Sequence, residues 1–228
     1  MLSEIKKENS EELKAYLESR NEEISSDIIV TVSKILEDVR KRKDEAVIAY
    51  TEKFDGIRLE NYCVSEAEID EAASHCDPFF MESMQKAKKN IEFFHNAQKQ
   101  NGYLLQKEKG IYLGQRVLPL DSVGIYVPGG RAQYPSSVLM NAIPAKVAGV
   151  KRIVMITPPS KEGSLHPNIA YAAKLAGIDE IYKVGGAQGI GALAYGTQTL
   201  PPVDKIVGPG NIFVAAAKKL VFGKVDID

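Results

Sequence analysis

The sequence predicts an α/β fold, with a parallel-sheet domain preceded by a mainly helical N-terminal region. Two observations carry this. From Ser122 onward, short apolar runs alternate with stretches of helical length, the texture of βαβ units. Up to about Gln100 the apolar residues instead recur at helical spacing in a highly charged chain.

In the N-terminal region, Asp27 suits the N-cap of one helix through Ile28, Val32, Ile35, Leu36, Val39, Val47 and Tyr50. Phe54-Asp55-Gly56 ends it. Ser65, with Glu68 three residues on, predicts a capping box for a short helix through Ile69. Pro78 stands near the start of a longer helix with Met81, Met84, Ala87, Ile91 and Phe94 on one face. Asn101-Gly102 closes it. Strand-like runs from Tyr103 to Gln106 and Ile111 to Leu118 flank a turn at Lys109-Gly110.

The later strands are predicted at Val123 to Val127, Arg152 to Ile156, Glu180 to Val184 and Lys205 to Val207. Helices are predicted from Pro135 to Ala148, Pro167 to Ala176, Ala187 to Tyr195 and Asn211 to Phe222. Right-handed crossovers bring the turns after the strands to one edge, where such sheets bind ligands. The arrangement is Rossmann-like.

Three of those turns carry candidate chemistry. Tyr126-Val127-Pro128-Gly129-Gly130-Arg131 offers paired glycines and then a helix N-terminus. It also suits a plain strand-to-helix turn. Gly185-Gly186-Ala187-Gln188 puts an amide at a strand's carboxyl end, able to bond a base, a ribose or a carboxamide. In Gly208-Pro209-Gly210-Asn211 the asparagine is a good N-cap whose remaining capacity can face the same crevice. A literal G-x-G-x-x-A match at Gly189, Gly191 and Ala194 lies inside a helix. No acidic residue ends the next strand to hold a ribose, so these glycines are expected to permit close packing.

Composition excludes several classes. With 29 basic and 30 acidic residues the formal net charge is −1, so no global field draws the chain to nucleic acid or a membrane. The two cysteines, Cys63 and Cys76, form no CxxC, and the histidines, His75, His95 and His166, form no metal-ligand spacing. There is no GxSxG and no Walker A run. The charged start, Met1 to Glu8, is not a signal peptide, and a cytoplasmic protein is expected.

The run Val123 to Gly130, the run Tyr134 to Gly149, Gly185-Gly186-Ala187-Gln188 with Ala192 to Thr197, and Val203 to Asn211 together resemble histidinol dehydrogenase. The resemblance is weak up to about Gly110 and close from Leu118 onward. It implies NAD-dependent oxidation of L-histidinol to L-histidine through the aldehyde, by a zinc-dependent homodimer. It also implies that Tyr126, Gln188 and Asn211 contact NAD. Two departures stand out. Gly189 and Gly191 replace two alanines of the family's helix. Val225-Asp226-Ile227-Asp228 stops where the signature Ile-Asp-x-x-Ala-Gly-Pro-Ser-Glu would begin. The zinc ligands and the Glu-His acid–base pair are therefore expected beyond Asp228, and the 228-residue chain is expected to be inactive alone.

Residues 1–121 are expected to form a helical arm and part of a second, incomplete α/β domain, and residues 122–228 the NAD-binding Rossmann-like domain. The apolar stripes of the N-terminal helices are expected to lack a partner surface within the chain. A stand-alone nucleotide-binding module without catalysis is the alternative. An aldehyde-dehydrogenase-like enzyme fits less well, because neither cysteine stands near the strand-edge turns.

Overall fold

The computed structural model describes residues 10–19, 24–129, 133–178 and 180–228. The charged start of the chain and, in the first turn, Gly130 and Arg131 lie outside them. Helix α1 spans Ser10–Ser19.

Two helices stand where the apolar stripe predicts one. Helix α2 spans Ser26–Arg42 and α3 spans Asp44–Asp55. The N-cap of α2 is Ser25, not Asp27, with its hydroxyl accepting from the Ile28 N–H at 3.4 Å. Between the helices Lys43 takes φ +56°, and its ammonium donates to the carbonyls of Tyr195 and Gly196 at 3.3 and 2.9 Å. The break is thus tied to a distant part of the chain. Helix α4 (Glu66–Ser74) is capped by Ser65, as the capping-box spacing predicts. Helix α5 (Pro78–Ala97) opens on Pro78 behind the N-cap Asp77.

Strands β1 (Tyr103–Glu108) and β2 (Ile111–Gln115) form an antiparallel hairpin. The main sheet is parallel and five-stranded, built from β3 (Ser122–Tyr126), β4 (Arg152–Thr157), β5 (Glu180–Lys183), β6 (Lys205–Val207) and β7 (Asp226–Ile227). Its spatial order is β5-β4-β3-β6-β7. The chain steps outward from β3 to β5 through α6 (Pro135–Ala148) and α7 (Pro167–Ala176). It then returns past β4 and β3 through α8 (Gly186–Tyr195) to β6, and continues through α9 (Ile212–Val221) to β7. With right-handed crossovers the reversal moves α8 and α9 to the opposite face. The switch in direction falls between β3 and β6, where such sheets open a ligand crevice.

Strand residues alternate between two cores. Val123, Ile125, Ile153, Met155 and Ile181 pack with α6 and α7, and Tyr126, Val154, Ile156, Tyr182 and Ile206 with α8 and α9. The N-terminal helices add a further layer on each face. Helices α4 and α5 lie on α6 and α7, and α2 lies on α8 and α9. The stripe Val32, Ile35, Leu36 and Val39 therefore finds its partner surface inside the chain. On α5, Met84 is buried and Ile91 half-buried, while Phe94 is exposed. Residues 62–64 also run antiparallel beside β5, with Lys183 N–H donating to the Tyr62 carbonyl at 2.7 Å and Val64 N–H to that of Ile181 at 2.9 Å. They cover an edge that would otherwise be open.

Helix α8 is sandwiched, and its glycines fit that position. A Cβ on Gly189 would stand 2.9 Å from Ile156 Cδ1 of the sheet, and one on Gly191 would stand 3.1 Å from Leu36 Cδ2 of α2. The G-x-G-x-x-A match is a packing feature, as its place inside a helix implies. The helix then descends on β3, where the absent Cβ of Gly124 makes room for Leu193.

Candidate functional site

At the carboxyl end of the sheet a cavity of about 1180 Å³ opens over β3, β4 and the switch point. Tyr126, Gln188 and Asn211 all line it. So do Pro128 and Gly129 after β3, Thr157 and the loop from Pro158 to Glu162 after β4, and Leu165, His166 and Ile169 at the head of α7. A further wall comes from the N-terminal region, through Thr31 and Ile35 of α2 and Phe54 and Asp55 of α3.

Tyr126 is the last residue of β3 and is buried. Its hydroxyl accepts from the Gly186 N–H at 3.3 Å, engaging one of the free donors at the head of α8. Burial pushes its phenol above the ordinary range. The nearby Asp55 charge adds to that push, and the Gly186 N–H opposes it.

Gln188 sits in the first turn of α8 and is 1% exposed. Both its Oε1 and its Nε2 are buried without a hydrogen-bond partner. Unmade hydrogen bonds in a dry site cost about 1–3 kcal/mol. A side-chain amide with donor and acceptor both open, on the wall of a cavity, has the chemistry to take up a ligand group with the same pair.

Asn211 caps α9. Its Oδ1 accepts from the Phe213 and Val214 N–H groups at 3.0 and 3.1 Å. The cap occupies the oxygen and leaves the Nδ2 donor for a ligand. The turn before it requires glycine at 208, where φ is +109° and a Cβ would lie 2.3 Å from the Tyr126 carbonyl oxygen. The turns after β3 and β6 therefore meet backbone to backbone at the switch point.

One described glycine of each pair, Gly129 and Gly185, has a packing role as well. A Cβ on Gly129 would meet Pro158 at 3.3 Å, and one on Gly185 would meet it at 2.4 Å. The turns after β3, β4 and β5 thus close around one proline ring. His166 is the N-cap of α7, its Nδ1 accepting from Asn168 N–H at 3.2 Å.

The sequence does not point to Asp55. Its Oδ2 is buried and unpartnered, and burial pushes its carboxyl above the ordinary range. The sequence shows it only as a residue before a helix-ending glycine. Among the described residues no three His, Cys, Asp or Glu side chains gather so as to hold a metal ion. The donor set present does not fit zinc.

The chain matches the family model for histidinol dehydrogenase over residues 18–228. It is 53% identical, over 100% of its length, to histidinol dehydrogenase of Listeria monocytogenes serovar 1/2a, and covers 51% of that protein. To histidinol dehydrogenase of Clostridium acetobutylicum it is 55% identical over 93% of its length, covering 49% of that protein. The crystal structure of histidinol dehydrogenase from Elizabethkingia anophelis shares its fold with a TM-score of 0.85 and 42% identity, across 90% of this chain and 47% of that one. The chain spans about half the length of the relatives it matches. The sheet order, the strand-edge cavity and these likenesses agree, and this chain belongs to the histidinol dehydrogenase family.

Proposed function

We propose that the cavity binds NAD and that the chain is the NAD-binding part of a histidinol dehydrogenase, an enzyme that oxidises L-histidinol to L-histidine through the aldehyde. By itself it does not turn over histidinol, because its described residues hold no zinc donor set. The observation that carries the NAD site is the buried, unpartnered amide of Gln188 on the cavity wall. A dinucleotide offers amide and hydroxyl groups that match it. Tyr126 closes the floor and holds the head of α8, Gln188 reads a polar edge of the ligand, and the Asn211 Nδ2 donates from the far side of the switch point. Bound NAD supplies the hydride acceptor.

The NAD-binding unit in this reading is the α/β domain of residues 122–228, with α2 and α3 lending the cavity a wall. The zinc of the family finds no donor set among the described residues, so no step of the oxidation is assigned to it. The reading further makes the whole enzyme a cytoplasmic homodimer that takes L-histidinol as substrate, with no nucleic-acid or membrane partner. Among the described residues no helix is long and apolar enough to cross a membrane.

The test is a calorimetric titration of the 228-residue chain with NAD, beside Gln188→Met. The variant keeps the volume and removes the amide. Its affinity is expected to fall about tenfold, equivalent to about 1.4 kcal/mol. Its thermal midpoint is expected to hold or rise, because two buried unpaired polar atoms are gone. A parent chain that does not bind NAD at millimolar concentration ends the proposal.

A further inference from the structure

A second buried polar group in the cavity has no partner. Asp55 ends α3, just before Gly56. Its Oδ2 is out of reach of water and makes no hydrogen bond, and the residue lines the same cavity as Tyr126 and Gln188. Asp55 as a whole is half-buried. An ionised carboxylate has only acceptors, and leaving one of its two oxygens dry and unpaired costs the fold stability. Such a group is retained at a cost when a ligand donor completes it. Glu162, the other carboxylate on the cavity wall, is exposed and already solvated, so it carries no such signature.

Dinucleotide-binding α/β domains hold a ribose with an acidic side chain beyond the end of the second strand of the unit. Here that strand, β4, runs out into Thr157-Pro158-Pro159, with no carboxylate. The helix layer outside the sheet brings one to the same cavity instead. We infer that Asp55, carried by α3 and not by the sheet, is the carboxylate that accepts a hydrogen bond from a ribose hydroxyl of the bound dinucleotide. This rests on the NAD reading above.

Asp55→Asn and Asp55→Ala are titrated with NAD and with NAD analogues lacking one ribose hydroxyl, and each protein is melted without ligand. Asp55→Asn is expected to bind NAD at least tenfold more weakly while its thermal midpoint holds or rises. One deoxy analogue is expected to bind the parent more weakly than NAD does, and Asp55→Ala is expected to lose that discrimination. Unchanged NAD affinity in both variants overturns the inference. So does a lowered melting point with affinity retained, which is the mark of a purely structural carboxylate. Discrimination that persists in Asp55→Ala places the hydroxyl's partner elsewhere and also overturns it. A parent that does not bind NAD removes the NAD reading itself, whereas loss of the Asp55 effect with a binding parent removes only this step.

Discussion

The hydroxyl of Tyr126 and the backbone N–H of Gly186 meet at 3.3 Å, tying the end of β3 to the head of α8. Gly186 takes φ +60°, and a Cβ there would lie 2.5 Å from the Oε1 of Gln188. The same glycine therefore sets both candidate ligand groups. Gly186→Ala forces an L-residue into the left-handed region, at about 1–2 kcal/mol, and swings the Gln188 amide aside. NAD affinity is expected to fall at least tenfold, by about 1.4 kcal/mol, with a modest drop in melting temperature. Calorimetry and a thermal melt check this, and a folded Gly186→Ala chain with parental affinity would contradict it.

Asp55 gives a pH dependence of known sign. Burial raises its carboxyl above the ordinary range, so the folded chain binds this proton more readily than the unfolded chain. Stability from this residue is then greatest at low pH, below the unfolded value, and is lost as pH rises through the raised folded value. Asp55→Asn has no such ionisation. The variant is expected to be more stable than the parent at neutral pH, and the gap is expected to narrow as pH falls toward the ordinary carboxylate range. Urea melts of both proteins across that interval measure it. A constant gap would mean that Asp55 does not titrate abnormally.

Strands β3, β4 and β5 were legible because each is buried on both faces, which writes a short continuous apolar run such as Ile153-Val154-Met155-Ile156. Helices α6 and α7 open on Pro135 and Pro167, and α9 on the Asn211 cap, all local signals. The break at Lys43 was not legible, because the carbonyls of Tyr195 and Gly196 decide it from far along the chain. Strand β7, only Asp226–Ile227, is too short to carry a period. Of the cavity, Tyr126, Gln188 and Asn211 could be found from the turns and the family resemblance. Asp55 could not. A carboxylate before a helix-ending glycine reads as solvated, and only the tertiary packing takes one of its oxygens out of reach of water.

Gly124 tests how closely α8 sits on the sheet. A Cβ there would lie 2.8 and 2.9 Å from the two Leu193 methyls and 3.1 Å from Val203 Cγ2. Leu193 is fully buried in a helix held between sheet and α2, so it has little room to yield. Gly124→Ala is expected to destabilise the chain by about 1–3 kcal/mol, the usual range for overpacking. Gly191→Ala meets Leu36 Cδ2 at 3.1 Å and Val39 Cγ1 at 3.3 Å, looser contacts than those at Gly124. It gains up to about 1 kcal/mol of helix propensity, so it is expected to be near neutral. Chemical denaturation of both variants checks the order, and equal losses would show that α8 is not held as closely at β3 as these distances imply.

The hairpin of β1 and β2 leaves its side chains exposed along both strands, including Leu104 at 71% and Tyr112 at 59%. A two-stranded hairpin with no covered face is marginal in water, and an apolar surface of this kind marks a contact site. The proposed homodimer gives it a cover in a second copy of the chain. Leu105 and Leu113 stand directly opposite each other across the hairpin, so one face can be altered by changing them together. The parent chain is expected to gain mass with concentration in light scattering. Leu105→Lys with Leu113→Lys is expected to weaken that association through like charges on one face. Its thermal unfolding should stay close to the parent's, because neither leucine belongs to either core. Amides of the hairpin should exchange faster in the double variant, while those of β3 and β4 keep their protection. A parent that remains monomeric at every concentration, with its hairpin amides protected, would show that these apolar side chains need no second copy.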